Sequence, residues 1–172
     1  MREVVMVIAP EVFRDEEYAL PKAVLEARGA HVMTASTTPG TCVGKLGMHA
    51  TAALSVDEAA TRAWDAVVFV GGAGATVFFD DPAAHALARR AAASPGVLSA
   101  ICIGPSVLAQ ADLLGGVKAT AFASQEENLK AHGALWTGEP VTIDGRIVTA
   151  NGPEAATEFG EAIGDLIGLP KT

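Results

Sequence analysis

Short, uninterrupted apolar runs alternate with helical patterns along this 172-residue sequence. The apolar runs are predicted to be strands, because each is brief and bounded by turn signals: Val4–Ala9, His31–Ala35, Asp65–Val70 and Val97–Ile101. Helices are predicted between or after them, at Glu16–Arg28, Asp57–Ala63, Pro82–Ala93 and Ser106–Leu113. Because these strands are mostly apolar throughout, we expect helices to cover both faces of the sheet. The pattern predicts βαβ units and a mostly parallel sheet.

The remaining segments complete one doubly wound α/β domain over residues 1–172. The predictions there are a strand at Lys118–Phe122, a helix at Gln125–His132, strands at Val141–Ile143 and Arg146–Thr149, a helix at Glu154–Ile167 and a frayed tail after it. Asp144-Gly145 is a hairpin signal. Residues 41–54 are predicted to be irregular or weakly extended, with "CVGKLG" as a loop or hairpin. In such sheets ligands bind at the carboxyl ends of the strands.

Composition narrows the classes of partner and compartment. The net charge of −8 and pI of about 4.9 argue against nucleic acid and anionic membranes, which need clustered Lys and Arg. No apolar run approaches the ~18 residues of a membrane span. The first residues are typical of a strand rather than a signal peptide, so a cytoplasmic location is expected.

A cysteine stands where a predicted strand meets a predicted helix. Ala100-Ile101-Cys102-Ile103-Gly104 has the small–x–nucleophile–x–small pattern of a nucleophile elbow, which raises the side chain above the sheet. The start of the next helix is expected to lower the pKa of the thiol from ~8.5 toward neutrality. The alternative is that Cys102 is a small buried hydrophobic residue.

Cys42, the other cysteine, lacks the small–x–Cys–x–small pattern, and we interpret it as having no part in the site. Two cysteines make neither a disulfide framework nor a zinc site. No metal-ligand constellation is visible, and no organic cofactor is implied.

Two further segments are expected near Cys102. Gly71-Gly72 follow a buried strand, and the amides of Gly72 and Ile103 would form an oxyanion hole, although a glycine pair is also typical of a plain turn. "FRDEEYALP" opens the first helix, where compensation of the helix dipole suffices to explain Asp15 and Glu16. Glu17 would also contribute to the site if its side chain faces the edge of the sheet where Cys102 lies.

Four segments together resemble the ThiJ/PfpI superfamily, which includes the Parkinson-associated protein deglycase and the PfpI-type intracellular proteases. They are "FRDEEYALP", "VFVGG", "AICIGPSVLAQADLL" and "VTIDGRIVTANGPEAATEFG", and the resemblance covers nearly the whole chain. It implies a flavodoxin-like three-layer α/β sandwich and a homodimer or higher assembly. It also implies that Cys102 is reactive, that Glu17, four residues before Pro21, contacts it, and that Gly71, Gly72 and Ile103 bind an oxyanion or oxidised sulfur.

The sequence departs from that pattern at three positions. Ile103 stands where the protease branch has a histidine, Thr76 where it has a glutamate, and Phe122 where the deglycase branch often has a histidine. An isoleucine cannot act as a general base, so a Cys-His protease is disfavoured. Ordinary structural roles are predicted for His31, His85 and His132. His49 is the one histidine considered for the site, from a second subunit.

The expected chemistry therefore depends on Cys102 and Glu17. A carboxylate beside a thiolate disfavours ionisation of both, so Glu17 is expected to be protonated when Cys102 is a thiolate. The favoured function is glyoxalase- or deglycase-like action on small reactive carbonyls, or a stress-related role with an oxidisable thiol; the partner would be a small electrophile or oxidant. The alternatives are a non-enzymatic redox sensor or chaperone, and a hydrolase or hydratase of the amidase or isocyanide hydratase type. The substrate is left open.

Overall fold

The computed structural model describes residues 1–172 as strands and helices in alternation. The strands are β1 (Glu3–Val7), β2 (Glu11–Phe13), β3 (His31–Ser36), β4 (Gly40–Gly44), β5 (His49–Ala52), β6 (Leu54–Ser55), β7 (Ala66–Phe69), β8 (Val97–Ile101), β9 (Lys118–Ala119), β10 (Leu135–Trp136), β11 (Val141–Asp144) and β12 (Ile147–Ala150). The α-helices are α1 (Asp15–Ala27), α2 (Val56–Ala59), α3 (Pro82–Ala92), α4 (Pro105–Gln110), α5 (Glu126–Ala131) and α6 (Ala156–Leu166). Short 3-10 turns lie at Ala73–Phe78, Ala123–Gln125 and Pro153–Ala155.

A seven-stranded sheet in the order β11-β12-β8-β7-β1-β3-β6 forms the centre of the molecule. All of its strand pairs are parallel except β11–β12, which confirms the predicted mostly parallel sheet. The chain moves from β1 to β3 on one side and later returns to β7 on the other. The strand order therefore reverses at β1, and the carboxyl ends of β1 and β7 flank the crevice where such sheets bind ligands.

Helices cover both faces of this sheet and create two hydrophobic cores. Successive residues of β1 alternate between them: Val5 and Val7 pack into the core beneath α2, α3, α4 and α5, whereas Val4 and Met6 pack into the core beneath α1 and α6. A strand buried on both faces needs apolar side chains at every position, which is why β1 reads as a continuous apolar run. The predicted three-layer α/β sandwich is confirmed.

Residues 40–52 are more regular than the sequence suggested. They form an antiparallel hairpin of β4 and β5, in which Cys42 is paired with Ala50 and its side chain is buried. β4 also pairs in parallel with β2, a short strand that the sequence analysis did not predict. The hairpin reading of "CVGKLG" was therefore right, and the irregular one was wrong.

The predicted strand at Lys118–Phe122 is mostly not a strand. Only Lys118–Ala119 pair with β10, because the next amides bond elsewhere: that of Thr120 donates to the Thr149 hydroxyl at 3.0 Å, and that of Phe122 to the Cys102 carbonyl at 2.8 Å. The Asp144-Gly145 hairpin is confirmed, with Gly145 in the left-handed region at φ +61°. The closing helix begins later than predicted, because a 3-10 turn occupies Pro153–Ala155.

The C-terminal tail was expected to fray, yet Arg28 at the end of α1 holds it. The Arg28 side chain is 1% exposed. Its Nε donates to the Pro170 carbonyl, Nη1 to the carbonyl and carboxylate of Glu161, and Nη2 to the Asp165 carboxylate and the Leu169 carbonyl, at 2.8–3.1 Å. All five N–H donors of the guanidinium are therefore satisfied, which is what makes its burial tolerable.

Arg28→Ala is expected to lower the free energy of unfolding by about 2–4 kcal/mol, because it removes five hydrogen bonds and leaves backbone carbonyls unpaired. Urea denaturation measures this change. Arg90→Ala is the matched control, since Arg90 is exposed on α3 and makes no ion pair; its effect should stay within about 0.5 kcal/mol. Equal effects of the two substitutions would contradict the structural role of Arg28.

Val12, in β2, has φ +58°, a backbone conformation that is unfavourable for a β-branched residue. Its side chain is 40% exposed, so packing does not require valine there. The Val12 carbonyl lies only 2.6 Å from where a Cβ on Gly72 would be. The strained residue therefore packs directly against the glycine turn that follows β7.

Val12→Asn is expected to raise the free energy of unfolding by about 1 kcal/mol, because asparagine tolerates the left-handed region better than valine. Thermal or urea unfolding measures the gain. Val77→Asn is the control, because Val77 is similarly exposed and has no positive φ. A loss of stability at position 12 would show that the Val12 side chain contributes more than its backbone strain costs.

Candidate active site

Cys102 lies on a sharp turn directly after β8. Its φ of +64° places it in the left-handed region, which non-glycine residues rarely adopt. The turn is possible only because Gly104 has no side chain: a Cβ there would lie 2.6 Å from the Phe69 carbonyl oxygen. Ala100, two residues before Cys102, is completely buried between its neighbours in the sheet. The structure thus confirms the predicted elbow and leaves Cys102 half-buried.

Glu17, in the first turn of α1, faces the elbow and is completely buried. A Cβ on Gly71 would lie 2.5 Å from both the Cys102 Cβ and the Glu17 Oε1, so all three residues meet at one point. Neither Glu17 oxygen makes a well-formed hydrogen bond, although the Cys102 thiol and the Gly71 amide approach closely enough to affect its pKa. Any side chain at position 71 would separate Glu17 from Cys102.

Two backbone amides point toward the sulfur. The N–H groups of Gly72 and Ile103 lie close enough to the Cys102 Sγ to lower the pKa of its thiol, and neither donates to a backbone carbonyl. Gly72 is held by the residues before α1, since the Arg14 amide donates to the Gly71 carbonyl at 3.0 Å. The structure therefore brings together all five predicted site residues: Glu17, Gly71, Gly72, Cys102 and Ile103.

Burial determines how Glu17 and Cys102 ionise. Loss of water raises the pKa of Glu17 from 4.5 to about 7, although the Cys102 thiol and the Arg14 guanidinium oppose part of this rise. Burial also raises the pKa of Cys102 to about 12; the Glu17 carboxylate adds to the rise, and the amides of Gly72 and Ile103 counteract it. The predicted lowering of the thiol pKa is therefore wrong, because desolvation and a neighbouring carboxylate outweigh two amides.

The predicted coupling between the two acids follows from the same geometry. The first proton leaves the pair near pH 7, and the second leaves only near pH 12, where two adjacent buried anions would form. Between these values the pair carries one negative charge and one proton. A thiolate on Cys102 at neutral pH therefore requires that this proton lie on Glu17.

Asp15 has a role that the sequence did not reveal. Asp15 does more than compensate the helix dipole: it is buried, and its carboxylate accepts the amides of Leu46 and Met48, both at 2.9 Å. These bonds lower its pKa, although burial alone would raise it, and they attach the β4–β5 turn to α1. The sequence offered no signal for either contact, because the partners lie about thirty residues apart.

A pocket of about 400 Å³ opens next to the elbow: Cys102 does not line it, but Phe122, which does, donates its amide to the Cys102 carbonyl at 2.8 Å. Its polar lining comes from Arg14, Asn151 and Glu154, and its apolar lining includes Phe122 and Trp136. A larger pocket of about 570 Å³ lies among Arg2, Trp64 and Arg146, near the amino ends of the strands and therefore at the opposite edge of the sheet from the elbow. The smaller pocket is the candidate substrate site, because its lining residue Phe122 is hydrogen-bonded to Cys102, whereas the larger pocket lies at the opposite ends of the strands.

No histidine lies beside Cys102. The rings of three hydrogen-bond elsewhere: His31 to Glu3 at 2.6 Å, His85 to the Phe79 carbonyl at 2.6 Å, and His132 to the Asn128 carbonyl at 2.9 Å. His49 lies on β5 and lines a separate pocket next to α1. The ordinary structural roles predicted for the first three are confirmed.

Other chemistry-bearing groups are sparse. No three His, Cys, Asp or Glu side chains converge in a way that would hold a metal ion. The helices include none that combines the length and apolar character of a membrane span. The Cys42 thiol is buried and faces the Gly40 carbonyl at 3.9 Å, away from the site.

Comparison with other proteins places this site in a known context. An uncharacterised protein of Methanocaldococcus jannaschii is 40% identical over 161 residues, which are 92% of this chain and 78% of that protein. A deglycase of Pyrococcus horikoshii is 28% identical over 149 residues, covering 87% of this chain and 90% of the relative. Among solved structures, a ThiJ/PfpI domain protein from Brachyspira murdochii superposes with a TM-score of 0.92 at 32% identity, covering 96% of this chain and 95% of that one.

The fold is shared more widely than the sequence. Drosophila melanogaster DJ-1beta superposes with a TM-score of 0.88 at 24% identity, covering 97% of this chain and 91% of the other. The model of the DJ-1/PfpI family matches residues 2–165, a span that includes β1, the elbow and nearly all of α6. The chain therefore belongs to the DJ-1/PfpI family.

Proposed function

We propose that this protein is a cysteine-dependent enzyme that acts, in the manner of a glyoxalase or deglycase, on small reactive carbonyl compounds. The observation that carries the proposal is the buried contact of Glu17 with Cys102, beneath the unengaged amides of Gly72 and Ile103. This arrangement combines a nucleophile, a proton carrier and an anion-binding pair, as carbonyl addition requires. The names of relatives from Pyrococcus horikoshii and Thermococcus kodakarensis, both deglycases at 28% identity, support the same class.

The single proton of the pair explains how the nucleophile arises without a histidine. Transfer of the Cys102 proton to the Glu17 carboxylate leaves a thiolate and a neutral acid, and the charge of the pair does not change. The thiolate adds to the aldehyde carbon of a 2-oxoaldehyde. A C–S bond forms, the π electrons move to oxygen, and the amides of Gly72 and Ile103 stabilise the oxyanion.

Glu17 then serves the later proton transfers. It protonates the oxyanion to give a hemithioacetal and, as the carboxylate, removes the proton from the former aldehyde carbon. Transfer of the hydroxyl proton to the former ketone oxygen, and return of the carbon-derived proton to the adjacent carbon, give a thioester of a 2-hydroxy acid. Water hydrolyses the thioester and restores the thiol. One carbon is oxidised and its neighbour is reduced, so the sequence needs no external oxidant, reductant or cofactor.

A stress-related sensor is the second candidate. The two amides and a protonated Glu17 would also stabilise an oxidised sulfur on Cys102, and no turnover is needed for that role. The expected homodimer and cytoplasmic location stay predictions, as does the small electrophile or oxidant as partner.

Cys102→Ser and Glu17→Gln are each expected to lower kcat/KM for methylglyoxal by at least about 100-fold, since one removes the nucleophile and the other the proton carrier. Product formation followed by chromatography is the measurement. Cys42→Ser is the control and should retain full activity, because Cys42 is buried away from the site. If the unmodified protein shows no turnover but peroxide oxidises Cys102 selectively, the result contradicts the enzymatic function and supports the sensor function.

The stability of the protein should depend on pH through Glu17. Its pKa is 4.5 when exposed and about 7 in the folded protein, so the folded state binds more protons than the unfolded state between these values. The stabilisation is therefore complete below pH 4.5 and is lost as the pH rises to about 7. The loss, relative to Glu17→Gln, should be about 3 kcal/mol.

Urea unfolding at several pH values measures this difference. Glu16→Gln is the control, because the pKa of Glu16 is lowered by its hydrogen bond with Arg14 and its linkage has the opposite sign. Parallel pH curves for the unmodified protein and Glu17→Gln would show that Glu17 does not bind its proton more tightly on folding.

A further inference from the structure

The 400 Å³ pocket is lined by segments that are hydrogen-bonded to the elbow. The Phe122 amide donates to the Cys102 carbonyl at 2.8 Å, and the Cys102 amide donates to the Ala150 carbonyl, immediately before Asn151. Arg14 lies close enough to Cys102 that a charge on the sulfur raises the pKa of the Arg14 guanidinium. The pocket therefore adjoins the elbow, and a substrate with its electrophilic carbon at the sulfur would extend toward it.

Charge in the pocket is unbalanced. Its lining includes two charged side chains, Arg14 and Glu154. The Arg14 guanidinium is engaged by the Glu16 carboxylate through two hydrogen bonds, Nε–Oε1 at 3.0 Å and Nη2–Oε2 at 3.1 Å. Glu154 is exposed, and none of the ion pairs of the molecule includes it. The pocket thus presents one uncompensated negative charge.

Aromatic surface lies in the same pocket. Phe122 is 48% exposed, and Trp136 is half-buried. The faces of aromatic rings attract cations, and a neighbouring carboxylate strengthens that preference while it repels anions. Glu154 is not needed for packing, because its side chain is in solvent at the 3-10 turn before α6.

We propose that Glu154 is a specificity-determining residue, which selects electrophiles that carry an ammonium or guanidinium group over those that carry a carboxylate. The cationic group would lie between Glu154 and the aromatic side chains of Phe122 and Trp136, while the electrophilic carbon faces Cys102. For carbonyl substrates this inference rests on the proposed function, but the charge selection itself concerns any reagent that reaches the sulfur.

Alkylation of Cys102 tests the selection without requiring turnover. In a Cys42→Ser background, we would measure second-order rate constants for anionic iodoacetate, neutral iodoacetamide and cationic 2-bromoethylammonium by mass spectrometry at low salt. Each rate is divided by that of the same reagent with 2-mercaptoethanol at the same pH, which removes the intrinsic reactivity of the reagent. The ratio of the cationic to the anionic rate then reports the charge preference of the pocket.

Glu154→Gln should lower this ratio about fivefold, as expected for the loss of one nearby exposed charge. Glu158→Gln is the matched control: Glu158 is exposed in the first turn of α6, outside the pocket, and its substitution should leave the ratio unchanged. Added salt should reduce the ratio of the Glu154 protein more than that of Glu154→Gln.

A ratio that stays within twofold in Glu154→Gln, or that falls equally in Glu158→Gln, would overturn the selection. So would a Cys102 that reacts with none of the three reagents, because the pocket would then give no access to the sulfur. Failure of the proposed function is a separate result, namely absence of methylglyoxal turnover in a protein whose alkylation still depends on Glu154.

Discussion

Burial of the Glu17 carboxyl against the Cys102 thiol is the constraint around which this site is arranged. Two acids in contact and out of water resist ionising together, so the pair keeps one proton between about pH 7 and about pH 12. The position of that shared proton decides whether the sulfur is a thiol or a thiolate, which is why the proposed chemistry needs no histidine. Ionisation of the buried Glu17 carboxyl destabilises the fold, so the proposed chemistry and the stability depend on the same carboxyl group.

Close approach of the backbone makes this contact possible. Gly71 leaves the space in which Glu17 and Cys102 meet, and Gly104 lets the chain turn from β8 into α4. The segment before α1 then packs against Gly72 so tightly that Val12 is held at positive φ. Strain at Val12 and Cys102 therefore accompanies the placement of two amides at the sulfur, as is common where structure serves a site.

The charged side chains next to the Glu17–Cys102 pair have different partners. Arg14 and Glu16 neutralise each other at the opening, whereas Asp15 faces inward and fastens the β4–β5 turn to α1. The four consecutive side chains from Arg14 to Glu17 thus have three roles: an ion pair at the opening, an anchor for the β4–β5 turn, and the buried acid at Cys102. What remains unbalanced in the pocket is the carboxylate of Glu154, which is why charge is the property by which we expect it to discriminate.

The sequence by itself determined the layers and the elbow. Continuous apolar runs such as β1 occur only where both faces of a sheet are covered, and the small residues around Cys102 permit only a sharp strand-to-helix turn. The direction of the Cys102 pKa shift was not accessible in this way, because it depends on how much water and which carboxylate reach the sulfur. The same holds for the pairing of β2 with β4, for Asp15 and for Arg28, whose partners lie 31 to 142 residues away along the chain. Local pattern fixes local geometry, whereas desolvation and long-range hydrogen bonds exist only once the chain has folded.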